Sequence, residues 1–178
     1  GVLFGILTIF ELDRPSRSRV EALTDAAVSP LVMALGRLLA LLAGALLTLG
    51  LTMLLWLPVS RGLIGSVFDG TDYILAYLFF MGLALPLGIL SAASAYQLTR
   101  RLDLSLVLFA VFAGLSLTVW ADDWQLCWLN PCVWALSDDF SNFRIFRSVA
   151  YMRLTWLAAL AGVWTLSWLC VRQNGRGF

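Results

Sequence analysis

The chain has 178 residues, of which 61% are hydrophobic and 13% charged, and its mean hydropathy is +0.87. Soluble domains average about 45–50% apolar and about 25% charged residues, so this composition excludes a soluble fold and favours an integral membrane protein. The net charge of +1 says nothing about nucleic-acid or acidic partners, and we expect no nucleic-acid partner. The lack of His removes the commonest general base and metal ligand.

Long apolar runs set the predicted architecture, because a helix needs about 20 apolar residues to cross roughly 30 Å of hydrocarbon. Four segments are long and apolar enough, namely residues 31–57, 73–96, 104–120 and 149–171. Residues 1–10 look like the end of a further helix, and we interpret the N-terminus as the cut edge of a longer protein. The predicted fold is an all-α, polytopic helix bundle that forms one transmembrane domain over residues 1–178.

The distribution of arginine predicts the orientation. Successive helices alternate in direction, so the connections fall into two sets, and one set carries seven arginines against three in the other. The first set has Arg14, Arg17, Arg19, Arg100, Arg101, Arg172 and Arg176, and the second has Arg61, Arg144 and Arg147. Because cytoplasmic loops are enriched in basic residues, we expect the first set and the C-terminus to be cytoplasmic, in an inner or plasma membrane.

The polar connection after residue 10 contains a predicted short helix, residues 14–29. Pro15 suits the first turn of a helix, and Asp13 or Ser16 could cap it. One apolar stripe recurs at helical spacing, formed by Val20, Leu23 and Ala27, with charged residues on the other face. Two interpretations stay open: a helix that lies on the lipid headgroups, or a docking helix for a cytosolic partner.

Four short stretches carry a family resemblance. They are Glu11-Leu-Asp-Arg14, Arg19-Val-Glu21-Ala-Leu23, Val28-Ser-Pro30 and Leu35-Gly36-Arg37-Leu-Leu-Ala40. In this order they resemble the signature of ABC transporter permeases of the type-2 exporter class. The chain departs from that signature where Arg17-Ser18-Arg19 replaces the usual Gly-Thr and where the Pro-Ser pair is reversed as Ser29-Pro30.

The resemblance implies a permease subunit that moves a substrate across the membrane. Cytosolic ABC ATPase subunits would bind the ATP and Mg²⁺, and a second permease subunit would complete a homo- or heterodimer. The implied ATPase-docking residues of the coupling helix are Arg14, Arg17, Arg19, Val20, Glu21 and Leu23, and the implied hinge at the membrane edge is Glu11, Pro30, Gly36 and Arg37. The sequence has no Walker A pattern, so no catalytic role or cofactor is expected in this chain. The alternative is a non-transporting scaffold or accessory subunit.

The longest connection, residues 121–148, is predicted to lie on the outer side. Residues 124–136 are apolar and aromatic but too short to span, and Pro131 interrupts them. A helix-break-helix that dips into the outer leaflet, a re-entrant segment, explains this pattern, and a loose aromatic loop is the alternative. The four tryptophans of the region suit an aromatic belt at the interface, namely Trp120, Trp124, Trp128 and Trp134.

Three further features of the outer side invite functional interpretations. Cys127 and Cys132 could form a disulfide in an oxidising compartment. Two pairs of adjacent aspartates flank the segment, but adjacent residues do not share a helix face, so no metal site is predicted. Arg153 lies near the outer end of the last helix, where we expect it to snorkel to the surface. Otherwise it would face a polar cavity or pair with Asp138 or Asp139.

Overall fold

The computed structural model describes residues 1–18, 30–65, 68–121, 123, 126–129 and 143–174. The regular elements in these ranges are all helical, which confirms the predicted all-α class. They are α1 (Val2–Ser18), α2 (Pro30–Ile64), α3 (Gly70–Ala76), a π-helical segment (Tyr77–Gly82), α4 (Ala84–Thr99), α5 (Leu102–Leu117) and α6 (Phe143–Asn174).

Three helical stretches are long and apolar enough to cross a membrane, and they indicate a membrane protein. These stretches are Leu31–Ile64, Gly70–Thr99 and Phe146–Trp168, with mean hydropathies of 2.4, 2.1 and 1.3. On α2 the leucines are exposed around most of the helix, and only a narrow stripe, including Ala34, Leu38 and Ala45, is buried. Such a surface is stable when lipid, rather than water, surrounds the helix.

Two predicted spans differ in length from the helices that form. The predicted span 104–120 corresponds to α5, whose 16 residues extend about 24 Å at about 1.5 Å per residue and so fall short of the hydrocarbon thickness. The predicted loop 58–72 is also wrong in its first part, because α2 continues to Ile64. Pro58 cannot donate to the carbonyl four residues earlier, but the apolar residues around it continue the helix through this lost hydrogen bond.

The second membrane stretch is continuous but changes its helical register. Its α-helical turns give way to π-helical turns at Tyr77–Gly82, where the Leu83 amide donates to the carbonyl of Leu78, five residues earlier, at 3.2 Å. Pro86 follows in the first turn of α4, where a missing N–H costs least. The stretch runs from Gly70 to Thr99, longer at both ends than the predicted residues 73–96.

The predicted boundary between a membrane helix and a separate coupling helix does not appear in α1. This helix runs without interruption from Val2 to Ser18 and includes Pro15 in its interior. The prediction of a new helix that begins at Arg14 is therefore wrong for residues 14–18, which extend α1. The remainder of the predicted helix, residues 19–29, lies outside the described residues. The last helix is also longer than predicted, because α6 covers Phe143–Asn174 rather than residues 149–171.

The centre of the bundle is α4, which contacts α1, α2, α5 and α6. Twelve of its 16 residues are buried, and most of them are small, so neighbouring backbones approach closely. The closest approach is to α1, where a Cβ added at Gly5 would lie 2.3 Å from Cζ of Phe109 and 3.0 Å from the Gly88 carbonyl oxygen. The glycine at position 5 therefore sets how tightly α1 packs against α4 and α5.

Candidate functional site

A buried carboxylate joins the charged end of α1 to the central helix. Asp13 is 7% exposed and Tyr96 is 8% exposed, and the Tyr96 hydroxyl donates a hydrogen bond of 3.2 Å to Oδ1 of Asp13. Asp13 reaches the buried face because it lies eight residues after Gly5 and four after the fully buried Ile9. A buried carboxylate needs such a donor, since leaving it without hydrogen bonds would cost several kcal/mol.

The same end of α1 also contacts α2. The Arg37 guanidinium donates from Nη1 to the backbone carbonyl of Glu11 at 3.3 Å. The Glu11 carboxylate in turn pairs with Arg14 at 3.4 Å, and both of these side chains are well exposed. An exposed ion pair contributes about 1 kcal/mol or less, so the Arg37 contact and the Asp13 contact hold this end together. We call Glu11, Asp13, Arg14, Arg37 and Tyr96 the basic-end network.

A cation–π contact continues this end of the bundle to the last helix. Arg100 follows α4 in the left-handed conformation, with φ of 51°, and its guanidinium carbon lies 5.7 Å from the centre of the Trp168 ring. Arg101 comes next and is the N-terminal flanking residue of α5. Arg14 and Arg100, two arginines of the predicted cytoplasmic set, therefore lie one residue after Asp13 and four residues after Tyr96, the two residues whose hydrogen bond joins α1 to α4.

The predicted docking and hinge residues are only partly described. Of the docking residues, Arg14 belongs to the basic-end network and Arg17 lies in the last turn of α1. The others, Arg19, Val20, Glu21 and Leu23, lie outside the described residues. Of the hinge residues, Glu11 and Arg37 contact each other, Pro30 begins α2, and Gly36 is exposed one residue before Arg37. The docking role of all these residues stays a prediction.

A second polar feature lies inside the bundle, where the last helix carries a buried arginine. Arg153 is 0% exposed, and its Nη1 donates to the carbonyl oxygen of Trp128 at 2.5 Å. The expectation that Arg153 snorkels to the surface is therefore wrong. Trp128 is also 0% exposed, so it does not belong to an interfacial belt as predicted. The guanidinium turns inward because the carbonyl of this tryptophan offers it an acceptor within the bundle.

Aromatic rings surround the contact of Trp128 with α5. Its ring stacks on Phe112 of α5, with ring centres 4.8 Å apart. Phe112 also makes edge contacts with Trp120 and Trp156, at 6.1 and 5.8 Å. Aromatic pairs in these arrangements contribute about 0.5–1.5 kcal/mol each beyond their buried area. We call Arg153, Trp128, Phe112, Trp120 and Trp156 the arginine–tryptophan cluster.

The backbone beside Trp128 is tied to α5 through Ser116, which is fully buried. The Leu129 amide donates to Oγ of Ser116 at 3.0 Å, and the Cys127 thiol lies 3.8 Å from the Ser116 carbonyl oxygen. Cys127 is buried, and Cys132 lies outside the described residues, so their disulfide stays a prediction. Within the described ranges, His, Cys, Asp and Glu nowhere form a group of three suited to a metal ion.

Comparison with known proteins adds no assignment: no protein-family model, curated protein or solved structure matches the chain. The fold of the described residues defines the class, an all-helical arrangement in which three helices have membrane-spanning length and hydropathy.

Sequence reasoning missed two of the residues that matter most here. Asp13 was considered only as a helix cap, although its spacing from Gly5 and Ile9 places it on the apolar face once α1 is continued. Tyr96 was given no role, although a tyrosine among small apolar residues near the end of a membrane stretch is a usual partner for a buried polar group. No sequence signal places Trp128 in the core, because only the packing of α5 and α6 creates its site.

Proposed function

We propose that the chain is the membrane-spanning permease subunit of an ABC-type exporter, and that separate cytosolic ATPase subunits drive it. The observation that carries this proposal is the basic-end network, in which the charged end of α1 hydrogen-bonds to α2 and to the central α4. It lies directly before the stretch that resembles the coupling segment of type-2 exporters. A force applied to that stretch would therefore reach two further helices through polar contacts rather than dissipate in a loop.

In this proposal, residues 14–29 dock on the ATPase, and the hinge lies at Glu11, Pro30, Gly36 and Arg37. ATP-driven closure of the ATPase pair displaces the docked segment. Because α1 is one continuous helix to Ser18, it moves as a lever and carries Asp13 and Tyr96 with it. The helices then switch between two packings as rigid bodies. A second permease subunit completes the substrate path, in the inner or plasma membrane and with the C-terminus in the cytoplasm.

The outer side of the proposed permease is closed by the re-entrant segment within residues 121–148. The burial of Cys127 and Trp128 supports this interpretation, because a loose interfacial loop would leave both side chains near the surface. Two backbone groups of its described part, the Leu129 amide and the Trp128 carbonyl, are hydrogen-bonded to Ser116 and Arg153, as irregular backbone at membrane depth requires.

The experiment is a pull-down of the tagged full-length protein from mild detergent, followed by an ATPase assay of the eluate. We expect a co-eluting ATPase, and we expect its binding to be lost in Val20→Asp and Leu23→Asp, which place charge on the predicted docking stripe. Ala22→Asp is the matched control, because residue 22 lies on the opposite face of the predicted helix.

A second set of variants tests the polar contacts of the docking segment. Reversing both charges, with Arg17→Glu and Glu21→Arg, should weaken assembly with the ATPase. Unchanged transport and assembly in that double variant would contradict the docking assignment. An eluate with no nucleotide hydrolysis, from membranes that contain the ATPase, would contradict the permease proposal as a whole.

The alternative function is a non-transporting scaffold or accessory subunit of a membrane complex. One observation favours it: α1 continues through Arg14 to Ser18 without the break that a separate coupling helix would show. In that case the charged residues of this segment rest on lipid headgroups. The genomic neighbourhood separates the two functions cheaply, because an adjacent or fused gene for a nucleotide-binding ATPase favours the permease.

A further inference from the structure

The arginine–tryptophan cluster contains a charge that the described residues do not balance. Arg153 is completely buried within the stretch Phe146–Trp168, whereas Arg147, six residues earlier on α6, is exposed. No described carboxylate forms an ion pair with Arg153. A buried, uncompensated charge costs several kcal/mol, and arginine inside a membrane segment is rare unless it has a partner or a function.

The hydrogen-bonding groups left open in this cluster are donors. Nη1 of Arg153 is used by the Trp128 carbonyl, but Nε and Nη2 of Arg153 and Nε1 of Trp128 are buried without a partner in the described part of the chain. Buried donors without acceptors are unusual in folded proteins, and each is costly. The cluster therefore has a surplus of donors together with a positive charge, which is the complement of an oxyanion.

The geometry of the guanidinium narrows the choice of ligand. Nε and Nη2 lie along one edge of the guanidinium plane, and their N–H bonds run parallel. This edge matches two oxygens of a carboxylate or phosphate, which accept both hydrogen bonds at once. The single contact to Trp128 uses the opposite nitrogen, Nη1, and leaves the bidentate edge available.

The surroundings indicate the rest of the ligand. Trp128, whose carbonyl accepts a hydrogen bond from Arg153, stacks on Phe112, and Phe112 contacts Trp120 and Trp156, so an aromatic group adjoins the charge. A small hydrated ion gains little from such walls, whereas a molecule with an apolar body and a charged head gains from both the rings and the guanidinium. Arg153 and Trp128 are both 0% exposed, so entry of a ligand requires the groups around them to move.

We propose that the Nε–Nη2 edge of Arg153 binds the phosphate or carboxylate group of an amphipathic, lipid-like anion. The aromatic side chains of the arginine–tryptophan cluster hold the apolar part of that molecule, and the Trp128 carbonyl fixes the guanidinium plane. The proposal does not depend on coupling to an ATPase, because it rests on the buried cluster and not on the basic-end network.

The test uses the full-length protein, delipidated in dodecyl maltoside. Three probes are compared: dioctanoyl phosphatidylglycerol, the zwitterionic dioctanoyl phosphatidylcholine, and inorganic phosphate. Binding is measured by the shift in thermal midpoint and by native mass spectrometry. We expect phosphatidylglycerol to bind, and Arg153→Met to weaken that binding roughly tenfold or more, as the loss of a bidentate charged contact implies.

Two further variants separate a specific site from general electrostatic attraction. Arg153→Lys keeps the charge but lacks the fork, so we expect intermediate binding. Arg147→Met removes an exposed arginine from the same helix and should leave binding unchanged. Equal binding of inorganic phosphate would retain the oxyanion site but overturn its lipid-like occupant. Equal losses of phosphatidylglycerol binding in Arg147→Met and Arg153→Met would overturn the site itself.

The chain also contains carboxylates that could neutralise the arginine from within. If they do, no anion binds and Arg153→Met lowers the free energy of unfolding. The double variant Asp138→Asn and Asp139→Asn then lowers it by the same amount, and combining this double variant with Arg153→Met causes no further loss. That result would overturn the proposal in favour of an internal ion pair. Absence of anion binding with unchanged stability in all these variants would overturn it as well.

Discussion

Replacing Gly5 by alanine should loosen the contact between α1 and the centre of the bundle. The added Cβ would lie 2.3 Å from Cζ and 2.9 Å from Cε2 of Phe109, and 3.0 Å from the carbonyl oxygen of Gly88. Carbon atoms in ordinary contact are about 3.5–4.0 Å apart, so the methyl group is more than an ångström too close to the ring. Phe109 is 2% exposed, and the Gly88 oxygen belongs to a helix backbone.

The expected loss in the free energy of unfolding follows from the packing around Gly5. Overfilling a close-packed interior costs about 1–3 kcal/mol, because helices or side chains must shift to make room. Alanine normally favours a helix over glycine by about 0.5–1 kcal/mol, but helices of membrane proteins persist after their tertiary contacts are lost, so this gain largely cancels. We expect Gly5→Ala to lower the free energy of unfolding by about 1–3 kcal/mol.

The assay is equilibrium unfolding of the purified protein in mixed dodecyl maltoside and dodecyl sulfate micelles, followed by tryptophan fluorescence. Gly162→Ala is the matched control, because it is also helical and no described atom lies within 4 Å of its added Cβ. That control should change the free energy of unfolding by about 0.5 kcal/mol or less. Phe109→Leu should recover part of the loss when combined with Gly5→Ala, since it removes the ring that the methyl group meets.

Equal stability of Gly5→Ala and Gly162→Ala would refute the reasoning, because the close approach of α1 to α4 and α5 would then not be a stabilising contact. Additive losses from Gly5→Ala and Phe109→Leu would show that the two residues do not meet.

Two hydrogen bonds support further predictions, measured in the same unfolding assay. Tyr96→Phe removes one hydrogen bond to the buried Asp13 and should lower the free energy of unfolding by about 1–3 kcal/mol. Tyr151→Phe, at a position 65% exposed, should change it little. Equal effects of the two variants would exclude a stabilising role for the Tyr96–Asp13 hydrogen bond. Ser116→Ala removes the acceptor of the part-buried Leu129 amide and should lower the free energy of unfolding by about 1–3 kcal/mol. Ser116→Thr keeps a hydroxyl and should lose less. If Ser116→Ala leaves the free energy of unfolding unchanged, water or another group satisfies that amide.

The basic-end network shows how far sequence patterns can lead. Arginine counting predicts which connections share one side of the membrane, and that orientation stays a prediction. Two of the counted arginines, Arg14 and Arg100, lie close in the chain to the Asp13–Tyr96 hydrogen bond. The contacts of the network were not predictable, because Glu11 offers its backbone carbonyl, and not its side chain, to Arg37. A backbone acceptor carries no residue-type signal in the sequence.

The boundaries of the helices illustrate a second limit. Proline and glycine after Leu57 predicted a loop, yet α2 continues to Ile64, and Pro15 predicted a helix start but lies inside α1. In an apolar solvent the backbone gains so much from internal hydrogen bonding that a helix continues through a single lost bond. Breaker residues therefore mark boundaries less reliably here than in a soluble protein.

The sequence by itself determined the helical class and the membrane character of the protein, because composition and run length act through free energies of transfer that need no tertiary contact. Tertiary structure decided the direction of Arg153 and the burial of Asp13 and Trp128. Each of these depends on whether a neighbouring helix offers a hydrogen-bond partner or an apolar wall at the right place. A polar side chain near the end of a membrane helix has similar free energies facing lipid headgroups or the bundle interior, and only the packed neighbours decide between them.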